Sequence, residues 1–378
     1  MTSIFIVDSY YQDVINSLGF GENEQLSGSY SIEVEKLANF GFGTGGAYRR
    51  ELEILGWDAK ISIPNSFALQ SRWLKEKNYA SPFPKGWSYG LYAARLPMVR
   101  EVIHLLPHIQ GTLYKQIVDL KPDVVFVQDL NIVTPALAKA IKKHTKLLVG
   151  EIASPLPPKP YFMHYDLIVS ALPTIVHQVR KWGGESEYLP LGFDARWASF
   201  GESKASSRSI DAIFVGSFSR HQPQTIPLLQ QVAQVVPGLQ IFGNAEPDLL
   251  EANGLSTFFR GPAWGEQMFR LLGDSKIVVN RHGTIAGEYA VNMRMFEATG
   301  CGAALVTESK SNLSELFDPQ SEVLTYGTKE EAAAQVLRAL SNSKLLDEVS
   351  TRGQQKTLAS HSYAQRAFQL SEIVSSKI

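Results

Sequence analysis

One segment concentrates polar chemistry: Asn280-Arg281-His282, then Glu288, then Asn292-Met293-Arg294-Met295-Phe296-Glu297, closing on Gly300-Cys301-Gly302. It begins where the apolar run Ile277-Val278-Val279 ends in three polar side chains, and continues as a glycine-containing loop and a helix. Asn292, Arg294 and Glu297 are polar within an otherwise apolar helical frame. If buried, a carboxylate such as Glu297 needs a hydroxyl or cationic partner, and ribose hydroxyls are one such partner. The alternative is an Arg294–Glu297 pair, three residues apart, on a solvated face.

Two glycine-bearing turns add to this. Gly216-Ser217-Phe218-Ser219-Arg220 follows a strand-like run, and its composition suits a diphosphate: backbone N–H groups donate and a guanidinium makes a bidentate contact. Read plainly, it is a surface loop with a solvated arginine. Gly41-Phe42-Gly43-Thr44-Gly45-Gly46 runs into a predicted helix over 47–55. Gly45 and Gly46 there would let a backbone approach a ligand at a helix N-terminus, or simply make a flexible turn between helices. No strand precedes this loop, so it is not a dinucleotide fingerprint.

Further candidates sit after apolar runs. Asp129 and Asn131 follow the run 123–128, and Glu151 and Ser154 follow the next. Such loop carboxylates also serve as caps and turn formers. Trp87, in a Pro/Gly-rich stretch over 79–89, is the tryptophan best placed to stack on a sugar ring. No Asp-x-Asp motif is placed to chelate a metal. His104 and His108 are separated by Pro107 and lack an evident third ligand, so both read as structural or solvated.

The elements that must hold these residues alternate regularly. Strands are expected over 3–7, 58–63, 123–127, 146–150, 166–170 and 187–190, then 211–215, 239–242, 276–279, 303–307 and 322–326. Several are nearly continuous apolar runs, such as Val124-Val125-Phe126-Val127 and Ile277-Val278-Val279, as strands buried on both faces of a parallel sheet are. Amphipathic helical stretches such as 134–144 and 330–341 lie between them, the pattern of βαβ units and doubly wound sheets. The rhythm pauses over 193–209, a Ser/Lys/Ala-rich stretch that reads as a linker. The proline-rich 153–161 reads as stiff and extended.

A chain of 378 residues with 44% hydrophobic and 19% charged residues is long enough for two ordinary globular domains. With 36 basic and 37 acidic residues, it carries no broad footprint for nucleic acid. The lone Cys301 excludes an intrachain disulfide. No apolar run has transmembrane length and the N-terminus is unlike a signal peptide, so a cytoplasmic protein is the default expectation.

The string 292–307, with Leu316-Phe317, 322–326 and the closing His361-Ser362-Tyr363-Ala364-Gln365-Arg366, resembles the CgeB-like branch of the group 1, family 4-like glycosyltransferases. The likeness spans roughly 210–370; Asp8-Ser9-Tyr10-Tyr11, Phe42-Gly43-Thr44, 123–131 and Ala153-Ser154-Pro155-Leu156-Pro157 extend it more loosely to the first half. The resemblance implies an α/β protein of GT-B architecture, two Rossmann-like αβα domains facing a central cleft. The domains would cover 1–195 (acceptor) and 208–360 (donor), with 361–378 a helix packing back on the first.

It further implies a hexosyltransferase-like enzyme that uses a UDP- or GDP-linked sugar and an unknown acceptor, with no metal cofactor. Glu297 would hold the ribose. Arg220 and Arg281 would face the diphosphate, with Gly216, Ser217, Asn292 and Arg294 completing the donor site and Gly45 and Gly46 closing over it. Asn131, Ser154 and Trp87 would face the acceptor, with Asp129 as general base if the reaction inverts. The family's first glutamate would fall at Tyr289, so Glu288 or His282 is the candidate for contact with the transferred sugar. Glu297→Ala is expected to weaken donor binding strongly while leaving the fold intact. An epimerase on the same fold, or a non-catalytic nucleotide-sugar-binding protein, would share these donor residues.

Overall fold

The computed structural model describes residues 1–22, 24–79, 107–216 and 224–378. Trp87, His104, Ser217 and Arg220 lie outside them. Contacts divide the chain into two compact units, Met1–Pro190 with Ala367–Ile378, and Leu191–Arg366.

Unit 1 contains β1 (Ser3–Val7), β2 (Asp58–Ser62), β3 (Val124–Val127), β4 (Leu147–Glu151), β5 (Leu167–Ser170) and β6 (Ser186–Tyr188) in the order β2-β1-β3-β4-β5-β6, every pair parallel. Its helices are α1 (Gln12–Ser17), α2 (Tyr30–Ala38), α3 (Gly45–Ile54), α4 (Phe67–Glu76), α5 (Pro107–Leu120), α6 (Pro135–Ile141) and α7 (Pro173–Lys181). Local sequence starts several of them. Ser29 caps α2, and Thr134 caps α6 with Pro135 in its first turn, where a missing N–H costs nothing.

Unit 2 contains β7 (Ile210–Val215), β8 (Gln240–Phe242), β9 (Ser275–Asn280), β10 (Ala304–Glu308) and β11 (Leu324–Tyr326) in the order β11-β10-β9-β7-β8, again all parallel. Its helices are α8 (Thr225–Val235), α9 (Pro247–Ala252), α10 (Gly265–Gly273), α11 (Met293–Gly300), α12 (Leu313–Leu316), α13 (Lys329–Leu340) and α14 (Ser343–Ser360). The last helix, α15 (Tyr363–Ser375), begins in unit 2 and continues in unit 1. Each of the eleven strands lies at one of the places where the sequence predicts one.

Period-two alternation explains why the central strands are apolar over most of their length. Ile277, Val279, Ala304 and Val306 join one core cluster, with Leu228, Val232 and Val336. Their neighbours Val278, Ala303 and Leu305 join a second, with Phe269, Met295 and Phe317. Helices on both faces therefore bury the apolar side chains of a central strand on either side.

The stretch read as a linker is folded onto unit 2. It forms short 3-10 helices at Ala195–Gly201 and Ala205–Ser207, and Trp197 stacks on Phe269. Arg208 is buried and donates to four carbonyl oxygens, those of Gly201, Ser203, Ser275 and Cys301. Serine and lysine content marked the segment as polar; it gave no sign that one arginine would tie it to β9 and the end of α11.

Candidate functional site

In open parallel sheets, ligands bind beyond the carboxyl ends of strands where the strand order reverses. Unit 2 reverses between β7 and β9, unit 1 between β1 and β3. The unit 2 point is flanked by Gly216 directly after β7 and Arg281-His282 directly after β9.

A buried polar network fixes that end of the sheet. Asn292 caps α11: its Oδ1 accepts from the Met295 N–H at 3.1 Å, while its Nδ2 donates to Asn280 Oδ1 at 2.8 Å and to the Arg281 carbonyl at 3.0 Å. Asn280 donates onward to Thr307 Oγ1 at 2.9 Å, and the Tyr326 hydroxyl donates to the Asn280 carbonyl at 2.7 Å. The ends of β9, β10 and β11 and the start of α11 thus form one hydrogen-bonded set. Asn292 commits both amide hydrogens to it, so its part is to shape the site.

The loop 283–291 is fixed from the segment after β10. Lys310 Nζ donates to the Gly287 carbonyl, the Ser311 N–H and hydroxyl donate to the Glu288 carbonyl, and the Ala290 N–H donates to Asn312 Oδ1. The Glu288 side chain is exposed and unpaired among the described residues. His282 is only 1% exposed, with Nε2 3.3 Å from Thr307 Oγ1. Burial pushes its pKa down to about 4, against the pull of nearby Glu308. It is therefore a neutral imidazole at neutral pH.

Glu297 and Arg294 do pair, but not on a solvated face. Arg294 Nη1 lies 2.6 Å from Glu297 Oε2, with side-chain exposures of 17% and 9%. Arg294 Nε also donates to the Val215 carbonyl at the end of β7, at 3.2 Å. Burial changes what Glu297→Ala would do, because it would leave Arg294 desolvated without its counter-ion. The variant is expected to lose stability as well as affinity. Arg281 is half-buried, and its guanidinium has neither a carboxylate nor a hydrogen-bond acceptor among the described residues.

Gly216 leaves β7 with its N–H donated to the Phe242 carbonyl, and a side chain there would press on the Phe214 ring. Gly243 shows how tight the corner is: a Cβ on it would collide with the Gly216 carbonyl, and its φ is 144°.

At the switch point of unit 1 the chain gathers carboxyl groups. Asp8 directly follows β1, is 6% exposed, and accepts from the N–H groups of Ser9 at 2.8 Å and Gly45 at 3.0 Å. Burial, with a smaller contribution from Asp129, pushes its pKa up to about 6. Glu151, at the end of β4, is pushed up to about 7, mainly by burial, while accepting from Gln128 Nε2 at 3.0 Å. Gln128 Nε2 also donates to Thr44 Oγ1.

Asp129 accepts from the Ser9 hydroxyl, the Asn131 N–H and Asn131 Nδ2, and caps the short 3-10 helix Leu130–Ile132. Asn131 is thereby held by Asp129, while Ser154 is exposed in the loop after β4. Gly45 opens α3 with its N–H already bonded to Asp8, and Gly46 is required by packing, since a Cβ would strike the Ala38 carbonyl.

The sequence reading missed Asp8 as a site residue. The signal was available, because Asp8 is the first polar residue beyond the apolar run of β1, the position searched elsewhere. Lys310 and Glu308 gave no such signal: their part in bracing the loop depends on β10 lying beside β9. Among the described residues, no group of three His, Cys, Asp or Glu is arranged to hold a metal ion, and no helix is long and apolar enough to cross a membrane.

Comparison with known proteins gives the class. The chain has the GT-B fold. It superposes on HepE from Anabaena, solved with UDP and glucose, with a TM-score of 0.62 and 14% identity over 100% of both chains. Sucrose-phosphate synthase from Thermosynechococcus elongatus matches with a TM-score of 0.60 and 13% identity, over 100% of this chain and 99% of that one. A glycosyltransferase from Rickettsia africae matches with a TM-score of 0.60 and 10% identity, over 100% and 98%. Residues 224–372, most of unit 2, match the family model described as glycosyl transferase-like. No curated protein sequence matches the chain.

Proposed function

We propose that the chain is a glycosyltransferase that moves a hexosyl group from a nucleotide-linked donor to an acceptor hydroxyl. The observation that carries this reading is that the switch point of unit 2 carries on one side a buried carboxylate, Glu297, tied through Arg294 to the end of β7, and on the other, directly after β9, the half-buried Arg281, whose guanidinium has no anion among the described residues. A nucleoside diphosphate offers the complement of both: ribose hydroxyls for Glu297 and negative oxygens for Arg281. The UDP and UDP-glucose complexes of HepE, similar in fold, favour a UDP-linked donor.

In the transfer, the acceptor oxygen bonds to the anomeric carbon while the bond from that carbon to the diphosphate oxygen breaks. The electron pair leaves with the diphosphate, and the acceptor proton passes to a base. Arg281, together with Arg220 and Ser217, stabilises the charge on the leaving group, so that a metal is not required. The carboxyl groups of unit 1 provide the proton acceptor, and those raised towards neutrality, Asp8 and Glu151, suit the task better than the cap Asp129. Neutral His282 orients the floor of the donor site, and Glu288 is free to meet the transferred sugar.

Incubation with a panel of UDP- and GDP-linked sugars and candidate acceptors tests this, with and without EDTA. Acceptor-dependent release of nucleoside diphosphate, unchanged by EDTA, is the expected result. Interconverted sugar would instead mark an epimerase, and binding without turnover a nucleotide-sugar sensor.

A further inference from the structure

Resting on the proton-accepting role given to unit 1, we infer that Gln128 is a positioning residue whose carboxamide makes Asp8 and Glu151 share a single proton. The three side chains stand in one row. Val7, Val127 and Gly150 are in register across β1, β3 and β4, so the residues that follow, Asp8, Gln128 and Glu151, come level on one face of the sheet edge. Gln128 is the middle member. Its Nε2 donates to Glu151 Oε2 at 3.0 Å and to Thr44 Oγ1 at 2.6 Å, which commits both amide hydrogens.

The oxygen end of the amide is unmatched. Gln128 Oε1 is buried without a hydrogen-bond partner among the described residues. A Cβ on Gly45 would lie 2.7 Å from that oxygen, 2.9 Å from Asp8 Oδ2 and 2.9 Å from Ile61 Cδ1. Two acceptors therefore border one narrow gap, and a proton on Asp8 supplies the hydrogen that the gap lacks. Turning the carboxamide over exchanges the demand. Nε2 then faces Asp8, Oε1 accepts from the Thr44 hydroxyl, and Glu151 must carry the proton. In either orientation, removing the last proton leaves one buried acceptor against another.

The surroundings favour the same state. Burial pushes both carboxyls up, and the charge of Asp8 adds to the rise at Glu151. Asp129 acts on Asp8 in the same direction. The Tyr165 hydroxyl, raised by burial and by Asp129, stays protonated, and the Tyr10 ring borders Asp8 Oδ2 beside Gly43. One member of the row is thus a carboxylate ready for the acceptor's proton. When it takes that proton, a buried charge disappears instead of a second one forming.

The test is a pH titration of carboxyl 13C resonances in protein labelled at Asp and Glu, with Asp8→Asn and Glu151→Gln assigning the two signals. In wild type, both signals are expected to move in two steps at common midpoints more than about 1 pH unit apart, as coupled sites do. In Asp8→Asn, whose amide can donate to Gln128 Oε1, Glu151 is expected to titrate in one step, about 1 pH unit or more below the upper wild-type midpoint. Plain charge repulsion would survive loss of the carboxamide, so the same shift is measured with Gln128→Met, where it should lose about half its size or more.

An equal shift in both backgrounds would leave only repulsion through space and overturn the inference. Single, separate steps in wild type would also overturn it, and that reading stands even where a variant fails to fold. Separate steps in a chain that transfers sugar would remove this inference alone. Shared steps in a chain without transferase activity would remove the proposed reaction and leave the shared proton in place.

Discussion

Beyond β1 and β3 in unit 1 the chain gathers Asp8, Asp129 and Glu151, whereas beyond β7 and β9 in unit 2 it sets Arg281, a neutral His282 and the buried Arg294–Glu297 pair. Both places are where the order of a parallel sheet reverses. Topology therefore selects the position of each site, and the loop residues select its charge. No Lys or Arg forms an ion pair with the three carboxyls of unit 1 among the described residues, and two of them are pushed towards neutrality by their own burial. In unit 2 the carboxylate is paired with Arg294, while Arg281 has no partner among the described residues. One end suits neutral hydroxyl compounds and proton acceptance; the other suits polyanions.

The largest test of that contrast is Glu297→Ala. It should weaken nucleoside diphosphate binding by about 2–3 kcal/mol, the value of hydrogen bonds to a charged group. It should also lower unfolding free energy by about 3 kcal/mol, because Arg294 is left desolvated and unpaired. Glu297→Gln, which keeps an oxygen for Arg294, should show the first loss with much less of the second in denaturant titrations. Next in size, Arg281→Ala should cost nucleoside diphosphate about 1.5–3 kcal/mol and the bare nucleoside almost nothing. Equal losses for both would mean that the guanidinium does not face phosphate.

In unit 1 the contrast can be read through pH. Asp8 and Glu151 have folded-state pKa values above their ordinary 3.8 and 4.5, so the folded chain holds protons that the unfolded chain has released. Stability from these groups is therefore greatest below about pH 4 and declines as pH rises to about 6 for Asp8 and about 7 for Glu151. The slope reaches at most about 1.4 kcal/mol per pH unit for each group. Asp8→Asn and Glu151→Gln should each flatten the decline in melts at a series of pH values; unchanged slopes would show that the carboxyls titrate normally. The smallest expected effect belongs to Ser9→Ala, which removes one donor from Asp129 and should cost about 1 kcal/mol of stability. A far larger loss of transfer activity would bring Asp129 into the chemistry.

The strand positions were legible because buried parallel strands repeat an apolar pattern that little else in the chain imitates. The proximity of Arg294 to Glu297 was legible for a local reason, since three residues along a helix bring side chains together. Whether that pair is wet or dry depends on Met268 and Val215, which are distant in sequence, and the solvated alternative could not be separated from the buried one. His282 shows the same limit: its polar neighbours Asn280 and Arg281 suggested reactivity, while its burial against β10 decides that it is uncharged. Gly46 illustrates the converse. Its glycine invites a ligand-binding reading, yet the carbonyl of Ala38 suffices to require it.

Residues 191–366 form one uninterrupted stretch, while unit 1 is assembled from Met1–Pro190 and the distant Ala367–Ile378. Along the gene, the second unit is an insertion in the first. During synthesis, unit 2 can finish folding while unit 1 still waits for its last twelve residues (367–378) to leave the ribosome. Arg208 and the 3-10 turns around it belong to the earlier-completed part, so cleavage near residue 200 would cut into unit 2 rather than separate the units. Excision at 191 and 366 is the cut that leaves a continuous polypeptide with its own sheet.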